Sequence, residues 1–400
     1  MGLNVEHVAW LLLIAAVVSL VARRLKMPYT VGLVVAGLLL ALVPESLHVS
    51  LTKEMIFSVF LPPLIFEAAF QIRWHDLKRD LPLVGTMATL GVLVASAVTF
   101  FGIRWLLGWN WQPALLLSVL LAATDPVSVI ATLEQCKVPK RLRLVVESES
   151  LLNDGTAAVL FSVALAATTG DSPTWTGITG QFAWTIAGGI GIGLAAGFLA
   201  MALIGRADDP FVEVVFTFVA AYGSFLIAEH FQSSGVFASL AAGLVLGNIG
   251  STKALSDRGH EIVVVVWEFV AFVANSLVFL LIGLHLAERN FSDFLIPAAV
   301  VIGLVLLSRV VAVYGCTGLF AKSRWKLAWF DQNVLVCGGL RGALALALVL
   351  GLPDGFEKRE TLVSVAFAVV AFSIIVQGFA VTLLLKRFAP AQPASEPAAG

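Results

Sequence analysis

The chain has 400 residues, of which 59% are hydrophobic and only 13% charged, with a formal net charge of −1. A soluble domain carries about a quarter of its residues as Asp, Glu, Lys or Arg, so the composition excludes a water-soluble enzyme and a basic nucleic-acid binder and places the chain in a lipid bilayer. The cysteines Cys136, Cys316 and Cys337 show no C-x-x-C spacing, so neither a disulfide framework nor a resident metal or cofactor is expected.

Thirteen hydrophobic spans follow one another, over 8–22, 29–43, 55–71, 81–107, 113–134, 144–168, 177–204, 211–229, 235–249, 262–285, 294–319, 333–352 and 361–385. The first has no basic residue before it and no small-x-small cleavage site after it, so it reads as a transmembrane helix and not a signal peptide. Short loops imply one transmembrane domain over 1–387, and the Pro/Ala-rich tail over 388–400 is expected to be disordered. Loop charge sets the orientation. With the N-terminus outside, eighteen of the 25 Lys and Arg fall in inside loops or the inner end, and only Lys53, Arg289, Lys358 and Arg359 fall outside. The expected topology is N-terminus out, C-terminus in.

Two spans are interrupted in the same way. The fifth carries Thr124-Asp125-Pro126 in mid-membrane, where proline removes a backbone donor and disfavours helix at the residue before it. The twelfth carries Gly338-Gly339-Leu340-Arg341-Gly342, glycines that loosen a helix around a charge. Fifth and twelfth correspond if spans one to six, about 8–168, repeat as spans eight to thirteen, about 211–385, across a linking seventh helix over 177–204. An odd total gives the halves opposite topology, and paired broken helices in inverted halves point to a transporter's midplane site. Gly189, Gly193 and Gly197 in the linking helix, four apart, mark close helix packing.

The sixth span opens with Glu147-Ser-Glu149-Ser150-Leu-Leu-Asn153-Asp154. On a helix, Glu147, Ser150 and Asp154 share one face and Glu149 and Asn153 the next. Ionisable groups in a membrane face a bundle interior or a water-filled cavity. Asp125 and Asp154 facing one cavity suit a hard cation, which takes oxygen ligands, and the same carboxylate can hold a proton instead. The Thr124 carbonyl, freed by Pro126, and the Ser150 hydroxyl are candidate further ligands. The duller alternative for Asp125 is that it caps or ties a helix. Asn153 cannot titrate, so the Asn153-Asp154 pair offers one exchangeable charge and favours electroneutral exchange.

Arg309 in mid-span needs a buried partner, and Glu149 is the nominee. Arg341 offsets either helix dipoles or a carboxylate at its break. Glu67, after Pro62-Pro63, reaches the site directly or through water, and Glu147 lines an inner funnel. Glu213 and Glu268 have no assigned role. His75, His260 and His285 do not cluster. Asn290-Phe-Ser292 matches a glycosylation sequon, a weak signal.

Thr124-Asp125-Pro126, Glu149-Ser150-Leu-Leu-Asn153-Asp154 and Gly338-Gly339-Leu-Arg341-Gly342, with Leu61-Pro-Pro-Leu-Ile-Phe-Glu67 and Ser308-Arg309, resemble the NhaP-type sodium/proton antiporters, relatives of the animal sodium/proton exchangers. The resemblance implies an all-α fold of thirteen transmembrane helices with crossed broken helices, as in NhaA-like antiporters, assembled as a homodimer. It implies Asp154 as the carboxylate that binds ion and proton, with Asp125, Ser150 and the Thr124 carbonyl as co-ligands. Asn153 and Glu67 would lie nearby, and Glu149 would pair with Arg309. The long regulatory tail of many relatives is not expected here.

The function expected is electroneutral Na⁺(Li⁺)/H⁺ antiport by alternating access in a bacterial inner (plasma) membrane. K⁺/H⁺ exchange on the same fold is the alternative, since oxygen ligands do not settle ion size. A proton-gated channel would not need two inverted broken helices. An intramembrane hydrolase using Asp125 and Asp154 lacks an accompanying nucleophile or metal motif.

Overall fold

The computed structural model describes residues 5–25, 27–42, 52–127, 129–130, 133, 138–168, 175–207, 209–287 and 294–388. Cys136, the sequon at Asn290–Ser292 and the tail from 389 lie outside the described residues. Among the described residues the regular structure is helical apart from one isolated bridge, and nine helices are long and apolar enough to cross a membrane.

In chain order the helices are α1 (Val5–Leu25), α2 (Tyr29–Leu40), α3 (Lys53–Gln71), α4 (Trp74–Leu106), α5 (Trp111–Leu120), α6 (Lys140–Thr168) and α7 (Trp175–Ile204). There follow α8 (Pro210–His230), α9 (Gly235–Lys253), α10 (Asp257–Ala287), α11 (Leu295–Leu319), α12 (Trp329–Cys337), α13 (Ala343–Leu350) and α14 (Arg359–Arg387). Among the described residues each predicted span overlaps helical structure. Apolar stretches too short to cross alone lie in α1 (Ala9–Ala22), α2 and α5, while α12 and α13 have nine and eight residues. The fifth and twelfth spans are short for the reason read from their residues: each stops in mid-course at an extended segment.

By their packing the helices form two groups. In one, α2 packs on α10, α3 and α7 on α9, and α8 on α7, α9 and α10, with α1 against α2. In the other, α11 packs on α4, α5 on α4 and α6, and α14 on α13 and α11. The first we call the scaffold group and the second the core group. The glycines of α7 do what their spacing implied: a Cβ on Gly193 would strike the Ala238 carbonyl of α9, and one on Gly189 the Ser234 carbonyl.

Proline in α3 shows how the membrane interior handles freed backbone groups. Pro62 and Pro63 lie two and three residues into its second segment, after a wide turn over Ile56–Phe60. Pro63 cannot donate to the Val59 carbonyl, which instead accepts from the Tyr222 hydroxyl at 3.1 Å; the Pro62 carbonyl, which the prolines do not free, also accepts from Ser239 Oγ at 3.1 Å. Such substitutions let a helix keep proline without leaving backbone oxygens unpaired in a medium that has no water to offer.

Candidate functional site

The two interruptions meet. The Asp125 backbone N–H donates to the Leu340 carbonyl at 2.7 Å, pairing the extended stretches as one antiparallel bridge. The ends of α5, α12 and α13 therefore converge with the turn that opens at Pro126, and such ends need charge to match their dipoles. Arg341 is 1% exposed and answers the C-terminal ends: its Nε donates to the Leu121 carbonyl, just past α5, at 2.9 Å, and its Nη1 to the Gly339 carbonyl. Its backbone N–H is held by Ser373 Oγ at 2.9 Å. The side-chain bonds of Arg341 thus go to backbone carbonyls past the ends of α5 and α12.

Asp125 answers the N-terminal ends. Its Oδ1 accepts from the Val127 N–H at 3.0 Å, so the capping alternative holds as geometry. Its other oxygen lies against Gly342, immediately before α13, where a Cβ would strike it. The glycines of the twelfth span therefore do more than loosen a helix. Gly342 admits the Asp125 carboxylate, and Gly339 admits the Arg309 side chain.

Glu149 and Arg309 form the expected pair. Nη1 and Nη2 of Arg309 donate to Oε1 and Oε2 of Glu149 at 2.7 and 3.0 Å, and Nε and Nη2 also donate to the Leu335 carbonyl near the end of α12. The pair is nearly inaccessible, with 1% of Glu149 and 7% of Arg309 exposed. It ties α6 to α11 and α12.

Behind Asp125 the polar side chains of α6 close on Thr124. Ser150 Oγ donates to the Thr124 carbonyl at 2.5 Å, and Asn153 Nδ2 donates to Thr124 Oγ1 at 3.1 Å. The two hydroxyls are 2.9 Å apart. With the Ser150 proton already committed, donor counting makes Thr124 the donor to Ser150. The Asp154 carboxylate lies against the Thr124 backbone N–H. Its Oδ1 is buried without a hydrogen-bond partner, as is Asn153 Oδ1.

A cavity of about 420 Å³ reaches this point, lined by Thr124, Asp125, Glu147 and Asp154 of the core group and by Tyr29, Glu67, Gln71, Glu268 and Asn275 of the scaffold group. Glu67 accepts from Gln71 Nε2. Of the predicted ligands, Thr124, Asp125 and Asp154 face the cavity. Ser150, expected on one face with Glu147 and Asp154, stands one layer back among Thr124 and Asn153. Glu147 lines the cavity as expected of a funnel residue. Sequence reasoning missed Tyr29 and left Glu268 without a place. The signal was available for Tyr29, a polar-tipped ring opening a span that otherwise holds only small and aliphatic side chains. Glu213, the other unassigned acid, is 1% exposed and accepts from the Ser256 N–H at 3.3 Å, ahead of α10.

Residues 11–387 match the transmembrane sodium/hydrogen exchanger family. The chain is 38% identical over 367 residues to the low-affinity Na⁺/H⁺ antiporter NhaS1 of Synechocystis, covering 90% of this chain and 69% of that protein. It is 38% identical over 366 residues to the Na⁺/H⁺ antiporter ApNhaP of Aphanothece halophytica, covering 90% and 70%. In fold it resembles the solved sodium proton antiporter MjNhaP1 of Methanocaldococcus jannaschii, with a TM-score of 0.74, 20% identity and 96% of each chain covered.

Proposed function

The chain belongs to the sodium/hydrogen exchanger family, and from that membership we propose that it exchanges Na⁺ or Li⁺ for protons at Asp154, one for one, by alternating access. It is a transporter; the intramembrane hydrolase alternative falls with the family assignment.

The observation that carries the reading is Asp154, which lines a cavity between two helix groups and keeps one buried oxygen without a hydrogen-bond partner. A buried polar atom with no partner costs roughly 1–3 kcal/mol, so its persistence calls for a ligand that comes and goes. Na⁺ wants several oxygens, and the Asp125 carboxylate and Thr124 carbonyl are near. Proton and metal ion compete for Asp154, which couples their movements. Asn153 spends its amide on Thr124 and cannot release a proton, which supports one exchangeable charge per cycle and electroneutral exchange.

Alternating access is supported by where the cavity lies. Its walls come from both helix groups, so sliding the core group against the scaffold group would close it on one side and open it on the other. Thirteen spans in two inverted six-helix repeats, with the N-terminus outside and a homodimer in a plasma membrane, complete the reading. The bridge between fifth and twelfth spans, and the grouping of spans four to six with eleven to thirteen, support the repeat.

Reconstituted into liposomes with a trapped pH dye and an imposed proton gradient, the protein is expected to alkalinise the acid lumen on addition of Na⁺ or Li⁺, with no response to membrane voltage. A response to K⁺ alone would replace Na⁺ by K⁺ in the reading. Because protons compete, the apparent KM for Na⁺ should rise as pH falls; a KM independent of pH would mean that cation and proton do not share Asp154.

A further inference from the structure

The mouth of the ion path carries charge of the wrong sign for a cation entrance. A second cavity, of about 790 Å³, adjoins the first through Gln71, Arg143 and Glu147, which line both. Its wall holds six Lys or Arg side chains against three Asp or Glu. Asp80 among these acids is already engaged, because Arg141 Nε and Nη2 grip its carboxylate at 2.6–3.1 Å. Arg73, Arg79, Lys140 and Arg324 have no ion-pair partner among the described residues. A concave basic surface walled by protein focuses its potential and gathers anions while repelling cations.

We propose that this vestibule binds a phosphate-bearing anion through Arg73, Arg79, Lys140 and Arg324. Three guanidinium forks and an ammonium are the donor set that phosphate oxygens take, in two-pronged geometry from arginine and as a point charge from lysine. They converge from four parts of the chain: the link between α3 and α4, α4 itself, the first residue of α6, and the loop before α12. The loop is held in place, since Trp325 Nε1 donates to the Arg79 carbonyl at 2.7 Å and the Arg324 guanidinium lies 4.6 Å from the Trp325 ring. Trp74 and Trp329 are exposed nearby in sequence, 47% and 74%, and tryptophans gather at the level of lipid headgroups. The phosphate could therefore come from an anionic lipid or from solution. Resting on the cation-exchange reading, a consequence follows: the bound anion turns a mouth that repels Na⁺ into one that concentrates it.

The full-length protein would be placed in nanodiscs of phosphatidylcholine, of phosphatidylcholine with about a fifth phosphatidylglycerol, and of phosphatidylcholine with inorganic phosphate added. The midpoint of thermal unfolding should rise by roughly 3 °C or more in at least one of the last two. A rise with phosphatidylglycerol alone assigns the site to a headgroup; a rise with phosphate assigns it to a soluble anion. Arg79→Gln with Arg324→Gln should lose the rise, whereas Lys253→Gln with Arg258→Gln, basic residues outside this cavity, should keep it. If the first pair does not fold, Arg73→Gln with Lys140→Gln serves the same comparison. No rise under either condition, or a full rise in the vestibule variants, overturns the proposal. Loss of Na⁺-driven proton movement in the unaltered protein would count against cation exchange and leave the anion site standing.

Discussion

Glu149 and Asp154 stand five residues apart on α6 and meet opposite surroundings. Both oxygens of Glu149 are taken by Arg309, in a pair tied on to the end of α12. Asp154 faces a cavity and keeps one oxygen with no hydrogen bond at all. Burial alone therefore does not mark an ion site. A saturated carboxylate holds helices together, and an unsaturated one on a cavity wall is left for a mobile ion. The contrast makes demands that can be tested, because the two acids should fail in different ways when removed.

Asp154→Asn should have the largest effect on transport: Na⁺-driven proton movement abolished, with the folded protein at least as stable as before, since an amide has no charge to desolvate. Measured exchange at wild-type rate would erase the contrast at its root. Glu149→Ala should do the reverse. It strands the Arg309 charge in the interior, which costs about 3–5 kcal/mol, and the loss would be read as a lowered unfolding midpoint. The fraction that still folds should keep an unchanged apparent KM for Na⁺. Replacing both partners, Glu149→Leu with Arg309→Met, should recover most of that stability, because apolar pairs of similar volume often equal buried ion pairs. A double variant as unstable as the single would mean that the pair does more than cancel its own charges.

Much of this is legible in the amino-acid sequence. Hydropathy and loop charge divide the chain into spans because a bilayer permits so few solutions, and Pro126 and the glycines of the twelfth span mark the breaks because helix geometry excludes the first and is weakened by the second. The Glu149–Arg309 pair was readable because a mid-span arginine must have a partner. The place of Ser150 was not, since helix spacing puts it on the face of Glu147 and Asp154 while packing turns its hydroxyl to Thr124. Tyr29 and Glu268 reach the cavity from helices far along the chain, which no spacing rule reports. The basic vestibule was visible only as separate loop charges used to orient the chain.

The glycines sharpen the contrast from the opposite side of the crossing. A methyl group on Gly342 would strike the Asp125 carboxylate, and one on Gly339 the Arg309 guanidinium. Gly342→Ala should therefore raise the apparent KM for Na⁺, roughly tenfold for a loss of about 1.4 kcal/mol, with stability little changed. Gly339→Ala should lower stability by about 1–3 kcal/mol, as overpacking does, with KM little changed. Interchanged outcomes would mean that Asp125 is structural and Arg309 acts on the ion.

Ser150→Ala should affect transport less than Asp154→Asn or Gly342→Ala. The hydroxyl does not reach the cavity wall; it donates to the Thr124 carbonyl and sits 2.9 Å from the Thr124 hydroxyl. Removing it leaves both Thr124 groups short of a partner, but Asn153 still holds Thr124 Oγ1, so the break should keep its shape. The expected cost is about 1 kcal/mol, the usual net value of one hydrogen bond, read as a rise of roughly fivefold in apparent KM for Na⁺ and a slightly lowered unfolding midpoint. A loss as complete as that of Asp154→Asn would show that the ion requires the hydroxyl itself. Thr124 would then have to turn during the cycle to bring Ser150 to the cavity, and a carboxylate oxygen without a partner would no longer suffice to tell a site residue from a structural one.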